Sequence, residues 1–259
     1  MIAEKEAGPE TMFDRITPND RADYREIISF ISEAVWPEFI HHDPVVNRHW
    51  DDLYARFPEY QFALLDADTD EVVGLANSLP LAWDGVAADL PEEGIDWAFS
   101  QSVADHEAGH PPRTQCAIQI AIAPGHQGRG LSSRFVREMG SIGASQGLAR
   151  LIAPVRPSLK SRYPLTPMDH YIRWKDPNGL PFDPWLRVHA RLGAELVKTC
   201  HQAMHIAGTV AEWEAWTGMV FPESGPYVVP GALVPVEFDL AANSGTYIEP
   251  NVWMVHTLE

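Results

Sequence analysis

A mixed α/β (α+β) domain, a mixed sheet with helices on its faces, is the fold class the sequence predicts. Three observations carry it. Cys116–Ala123, CAIQIAIA, is a near-continuous apolar run ending at Pro124-Gly125, and it reads as a central strand buried on both faces. Apolar residues then fall at helical spacing, at Leu131, Phe135, Val136, Met139 and Ile142, until Gly147 closes the segment. Ala149–Val155 is a second buried strand, so strand, helix and strand alternate as they do where helices cover a sheet.

The other elements follow in chain order. Asn19 or Asp20 is a suitable helix cap, and Tyr24, Ile27, Ile28, Ile31, Ala34 and Val35 keep helical spacing until Pro37 stops them. A second helix is expected over Val45–Phe57, where Val46, Trp50, Leu53 and Tyr54 share a face. Tyr60–Asp66 and Val72–Leu81 are apolar runs separated by a polar DTDE, a β-hairpin signature. Residues 84–115 are rich in Pro, Gly and acids, with a short helix at Ile95–Ala108. The 156–183 connection holds five prolines and is too long for a routine loop, which points to a functional role. Pro184–Leu192 reads as a helix that opens on proline and ends at Gly193. Beyond it, VVPGALVPVEFDL and TYIEPNVWMVHTL are expected to pair as a long hairpin.

One domain over 1–259 is therefore expected. It has a loose end at 1–12, a core at 13–198 with inserted loops at 84–115 and 156–183, and a strand-rich extension at 199–259. An open edge in that extension could pair with a second copy to make a homodimer.

Composition narrows the function. The 259 residues include 45% apolar and 21% charged residues, enough for a real core and against a disordered or fibrous chain. With 19 Lys+Arg against 36 Asp+Glu, the net charge of -17 makes duplex nucleic acid an unsuitable partner. No run approaches the roughly 18 consecutive apolar residues of a membrane span, and MIAEKEAGPE lacks the apolar centre of a secretory signal. Two cysteines, Cys116 and Cys200, fit a reducing cytoplasm rather than a disulfide framework. The charge is unevenly spread: residues 111–198 hold 13 cations against 5 anions, while 1–110 hold 6 against 24 and 199–259 none against 7. A cationic middle between acidic flanks is expected to bind something anionic.

The turn APGHQGRGLSS between central strand and helix is where that anion would sit. Gly128 and Gly130 let backbone approach a ligand, and the first-turn amides of the helix point the positive end of its dipole at one spot, a natural place for a pyrophosphate. Arg129 adds a cation, and Ser132 and Ser133 could cap the helix or donate to phosphate. A Walker loop is excluded because Leu131 stands where its lysine belongs. A dinucleotide fingerprint is excluded because Ser133 replaces its third glycine and no acid ends the next strand.

Gln127-Gly128-Arg129-Gly130-Leu131-Ser132 resembles the acyl-CoA-binding signature Gln/Arg-x-x-Gly-x-Gly/Ala of the GNAT superfamily of N-acyltransferases, with Ser132 in place of the last small residue. His189-Ala190-Arg191-Leu192-Gly193-Ala194 is similar at Leu-Gly to the family's Tyr-x-x-Leu-Gly-Phe segment. The resemblance implies a mostly antiparallel central sheet with helices on both faces, and transfer of an acetyl group from acetyl-CoA, or another acyl-CoA, to a small-molecule amine by direct attack on the thioester, with no metal. It implies that Gln127, Gly128, Arg129, Gly130, Leu131, Ser132 and Ser133 hold the pyrophosphate. Ile120, Ala121 and Ile122, on a splayed strand, would line the pantetheine arm, with the thioester near Ile122. His189 takes the position of the family's acidic tyrosine, and a histidine can donate a proton near neutral pH. Gln119 stands where some relatives carry a basic glutamate, so a base must come from elsewhere. Tyr163, Asp169, His170 and Tyr171 in the long connection, and Glu38, His41 and His42 near the first helix, are the candidates, the first four also as acceptor contacts. The loss of both family groups also fits a rival, a GNAT-fold module that binds acyl-CoA without catalysis.

His106-Glu107-Ala108-Gly109-His110 spells the zinc-protease signature HExxH. Gly109 and the following Pro111-Pro112 are expected to push His110 out of helical geometry. Trp213 and Trp216 in WEAW are expected to be packing residues.

Overall fold

The computed structural model describes residues 13–258. The described residues form strands β1 (Phe13–Ile16), β2 (Phe62–Asp66), β3 (Val72–Leu81), β4 (Thr114–Ile122), β5 (Arg150–Val155), β6 (Glu195–Gly208), β7 (Gly225–Tyr227), β8 (Val236–Asp239) and β9 (Ser244–Thr257). Their helices are α1 (Tyr24–Val35), α2 (Pro44–His49), α3 (Asp52–Ala55), α4 (Gly94–Ala108), α5 (Leu131–Ser145), α6 (Met168–Tyr171), α7 (Pro184–Arg191) and α8 (Val210–Thr217). The strands make one sheet in the order β1-β2-β3-β4-β5-β9-β8-β7, with β6 paired to β9. Every pairing is antiparallel except β4 with β5. None of the described helices is long and apolar enough to cross a membrane.

Alternation along the strands builds a core on each face. On β2, Phe62 and Leu64 pack with Phe135 and Met139 of α5, whereas Ala63 and Leu65 pack with Tyr24, Ile28 and Ile31 of α1. A third cluster joins Phe39, Trp213 of α8, Phe238 of β8 and Tyr247 of β9.

The structure departs from the expected elements in two places. The expected helix Val45–Phe57 is two short helices: Asp43 caps α2 by accepting from the Val45 and Val46 N–H groups at 2.9 Å, and Asp52 gathers His49 and Arg56 around α3. The expected long C-terminal hairpin contracts to three residue pairs between β8 and β9, since Pro230 and Pro235 cannot donate to a ladder. Most of β9 pairs instead with β6, from Glu195↔Val255 to Gly208↔Gly245. The loose end 1–12 lies outside the described residues, but the chain enters them directly in a strand, β1, against β2.

Asp43 also ties layers together. Its second oxygen accepts from the His205 N–H at 3.0 Å, joining α2 to β6. Asp96, in the first turn of α4, hydrogen-bonds to the Asp43 carboxyl. Burial first, and the neighbouring Asp43 carboxylate second, push Asp96 up to about 8, because two carboxyls in contact resist double ionisation. Asp96 thus keeps a proton that the unfolded chain releases near pH 4. The stability this confers is complete below that pH and is lost as pH rises to about 8. Asp96→Asn keeps a donor to Asp43 and removes the titration, so its thermal midpoint should fall less between pH 5 and 8 than that of the parent, as read by scanning calorimetry at stepped pH.

Candidate active site

The site begins where β4 and β5 part. The two strands pair in parallel only through Thr114↔Arg150, Gln115↔Leu151 and Cys116↔Ile152. Past this point two local features push them apart. On the β3 side, Asn77 pairs with Gln119 and Ser78 with Ala117, so Ile118 is an extra residue, a β-bulge that bends β4. In β5, Pro154 has no N–H to offer a neighbour. From Ala117 onward, the β4 edge that faced β5 has no strand against it.

A cavity of about 380 Å³ fills the gap. Its floor is Ala117, Ile118, Gln119 and Ile120 of β4, Ala153, Pro154 and Val155 of β5, and Arg156 just past that strand. Arg25, Ile28 and Ser29 of α1, with Trp36, His41 and Asn47, form one wall. Trp50, Tyr54, Trp185 and His189 form another, and Met204, Glu249 and Asn251 close the end. Four of these residues, Trp36, Trp50, Tyr54 and Trp185, present aromatic surface.

The polar groups in this lining are organised by hydrogen bonds. Arg156 Nε donates to both oxygens of fully buried Glu249 at 2.9 Å, and the Tyr247 hydroxyl donates to Glu249 Oε2 at 2.8 Å. Arg156 also donates to the Gly231 carbonyl at 2.7 Å, so one buried ion pair joins β5, β9 and the segment before β8. On β4, Asn77 Nδ2 donates to Gln119 Oε1 at 2.9 Å, and the Tyr54 hydroxyl donates to Asn77 Oδ1 at 3.4 Å. Burial pushes Tyr54 up to about 12, which keeps it neutral. Gln119 thus sits at the end of a hydrogen-bonded chain that runs through Asn77 to Tyr54.

The glycine turn lies beyond the other end of β4. Gln127 Nε2 donates to the Ile122 carbonyl at 3.1 Å and bends the chain out of the strand. Gly130 is the N-cap of α5 in a left-handed conformation, φ 77°, with no side chain capping the helix and open space where a Cβ would stand. Gln127, Gly128, Arg129 and Gly130 are exposed, while Leu131 is buried beneath them and anchors the first turn. Ser132 and Ser133 are half-buried in that turn. The exposed turn and the uncapped first-turn amides together can receive an anion.

The residues named from sequence divide sharply. Ile120 lines the cavity; Ala121 points into the α1 core and Ile122 packs toward the α5 core, so the chamber lies nearer Ala117–Ile120 than Ile122. His189 lines the cavity and is 2% exposed. Burial, with a smaller effect of His256, pushes its pKa down to about 3, so the resting ring is neutral at neutral pH. Tyr163, Asp169, His170 and Tyr171 do not line the cavity. Tyr163 and Tyr171 pack with Trp174 and Phe182, and the Tyr171 hydroxyl donates to Asp183. Asp169 pairs with His201 at 3.1 Å. The long connection has a small aromatic core of its own, which is why its composition looked like a binding site. Of the three residues named near the first helix, His41 reaches the lining, whereas His42 stacks on Trp216 and contacts Glu38. The HExxH geometry does not form: α4 ends at Ala108, Gly109 turns left-handed at φ 68°, and His110 meets Asp105 instead. Trp36, Trp185, Arg156, Glu249 and Asn251 carry no local sequence signal; only the sheet order brings them together.

An acyltransferase fold with a strand fork, a cavity in that fork and a glycine turn past the strand's end is the class these features define. The chain belongs to the GNAT superfamily of N-acetyltransferases. It is 31% identical over 251 residues to the arginine N-acetyltransferase avaD of Aspergillus versicolor, an alignment covering 87% of this chain and 86% of that protein. No family model matches the sequence. Its fold is shared by the loading GNATL domain of CurA from Lyngbya majuscula, at 18% identity with a TM-score of 0.58 over 95% of this chain and 98% of that one. The GphF GNAT-like decarboxylase in complex with isobutyryl-CoA aligns at 12% identity with a TM-score of 0.54, over 96% of this chain and 100% of that one.

Removing one partner of a buried ion pair leaves an uncompensated charge. Glu249→Ala, which strands the Arg156 guanidinium beside the cavity, should lower the unfolding free energy by about 3–5 kcal/mol in urea titrations. Glu249→Gln, which keeps the acceptor oxygen, should cost clearly less.

Proposed function

We propose that this chain transfers the acetyl group of acetyl-CoA to the amine of a small, guanidinium-bearing amino acid, with arginine the first acceptor to test. The observation that carries the reading is the cavity at the β4–β5 fork, which continues the line from the exposed glycine turn to the parted strands. In this reading the amides from Gly128 to Ser133 hold the pyrophosphate and Arg129 adds charge. The pantetheine lies along the open edge of β4, where unpaired backbone groups need a partner.

The acceptor side of the cavity supports the choice of amine. The aromatic surfaces of Trp36, Trp50, Tyr54 and Trp185 suit a planar guanidinium, which binds ring faces well. Arg25, whose ion pair with Asp51 is exposed to solvent, supplies positive charge for a carboxylate, while Arg156 is already matched by Glu249. Glu249, the acidic residue in the lining, already serves Arg156 and Tyr247, so the cavity is not an acidic trap for polyamines. The arginine named for the 31% identical relative points the same way. A reducing, cytoplasmic setting belongs to the reading, since Cys116 and Cys200 are free and buried.

Calorimetric titration with acetyl-CoA, followed by thiol-release assays with arginine, decarboxylated arginine and lysine, tests the proposal. Saturable binding is expected, with Gly130→Glu weakening it at least about tenfold through repulsion of phosphate and strain at positive φ. Arginine should release thiol faster than its decarboxylated form. Binding unaffected by Gly130→Glu, or no thiol release with any of the three, would contradict it.

A further inference from the structure

His189 and His256 face each other across the gap between α7 and β9. His189 Nδ1 lies 2.9 Å from His256 Nε2, and both residues are buried. Two neutral imidazoles at that distance share one proton, and the outer partners decide which ring supplies it. His256 also hydrogen-bonds the Leu192 backbone in a way that favours its protonated nitrogen, which makes a carbonyl the acceptor. A carbonyl only accepts, so the His256 proton sits on Nδ1 and its Nε2 carries the lone pair. His189 must then donate from Nδ1. Its Nε2 is left as a bare acceptor, and that atom is buried with no hydrogen-bond partner in a side chain that lines the cavity. Trp185 packs edge-on against the ring at 4.5 Å between centroids and holds its plane.

An unpaired buried acceptor is costly unless a ligand completes it. Resting on the acetyl-transfer reading above, we propose that His189 Nε2 takes the proton of the attacking amine, and that His256 is the positioning residue that fixes this tautomer. The amine lone pair forms the C–N bond to the thioester carbonyl carbon. As the intermediate collapses, an N–H proton passes to His189 Nε2 and the C–S bond breaks with its electron pair on sulfur; burial makes the imidazolium strongly acidic, so it exists only as a short-lived carrier and passes the proton at once to the thiolate. The products are the N-acetyl amine and free CoA, and His189 ends neutral. A single histidine thus serves in succession as base and acid, so neither the strand glutamate nor the tyrosine of other family members is required.

The test pairs kinetics with nitrogen NMR of histidine-labelled full-length protein. In the parent, His189 should show Nδ1 protonated and Nε2 bare, and His256 the same. His189→Phe should lower kcat about 100-fold or more while acetyl-CoA affinity stays within about threefold. His256→Phe should lower kcat about tenfold at unchanged acceptor KM, and His256→Gln, whose carbonyl still accepts from His189 Nδ1, should recover most of that loss. A parent that releases no thiol overturns the acetyl-transfer reading. An active parent in which His189→Phe keeps kcat within threefold overturns the relay alone. An Nε2-protonated His189 in the parent spectrum overturns the tautomer assignment whatever the kinetics show.

Discussion

Everything at the site depends on two parallel strands losing contact. β4 is held along its whole length by β3 but by β5 over only three residue pairs. A parallel pair buried between helical layers would ordinarily keep its ladder, since unpaired backbone groups are costly there. The Ile118 bulge and Pro154 remove that option locally. The unpaired edge, the cavity and the exit of β4 into the glycine turn follow from this one interruption. Because α5 starts within a few residues of the strand's end, its uncapped first turn is fixed relative to the fork.

The cavity needs the C-terminal residues as much as the glycine turn. Met204, Glu249 and Asn251 come from β6 and β9, which pair with each other in a long antiparallel ladder. Through Arg156, Glu249 binds this ladder to the end of β5, and through His205, Asp43 binds it to α2. Val46 of α2, Ile95 of α4 and Met204 of β6 all reach the cavity wall, so the Asp43–Asp96 pair sets the spacing of that wall from just outside it. The network around Arg156 is costly to break yet adds little to net stability beyond what apolar packing would supply. Its evident effect is positional.

The glycine turn and the strand before it were legible in the sequence because the chemistry is local: a buried apolar run, a tight turn and a helix start occupy about twenty consecutive residues. His189 was legible through the Leu192-Gly193 step that follows it. His256 was not, because only the register placing it opposite Leu151 brings β9 beneath α7. Ile118 looked like one more apolar residue of a strand; its bulge exists only relative to Asn77 and Ser78 of β3. Tyr163 and Tyr171 misled for the converse reason, since aromatic density marks a small core as readily as a pocket. The β6 strand fell within the strand-rich extension but could not be delimited, because its polar residues and two register shifts break the alternation by which strands are read.

Hydrogen exchange with and without acetyl-CoA tests the central claim, that the open strand edge and the glycine turn form one donor site. The account predicts added protection at the amides of residues 117–122 and 128–133 together, with β1 and β7 unchanged. Protection confined to either segment alone, or appearing elsewhere without them, would contradict it.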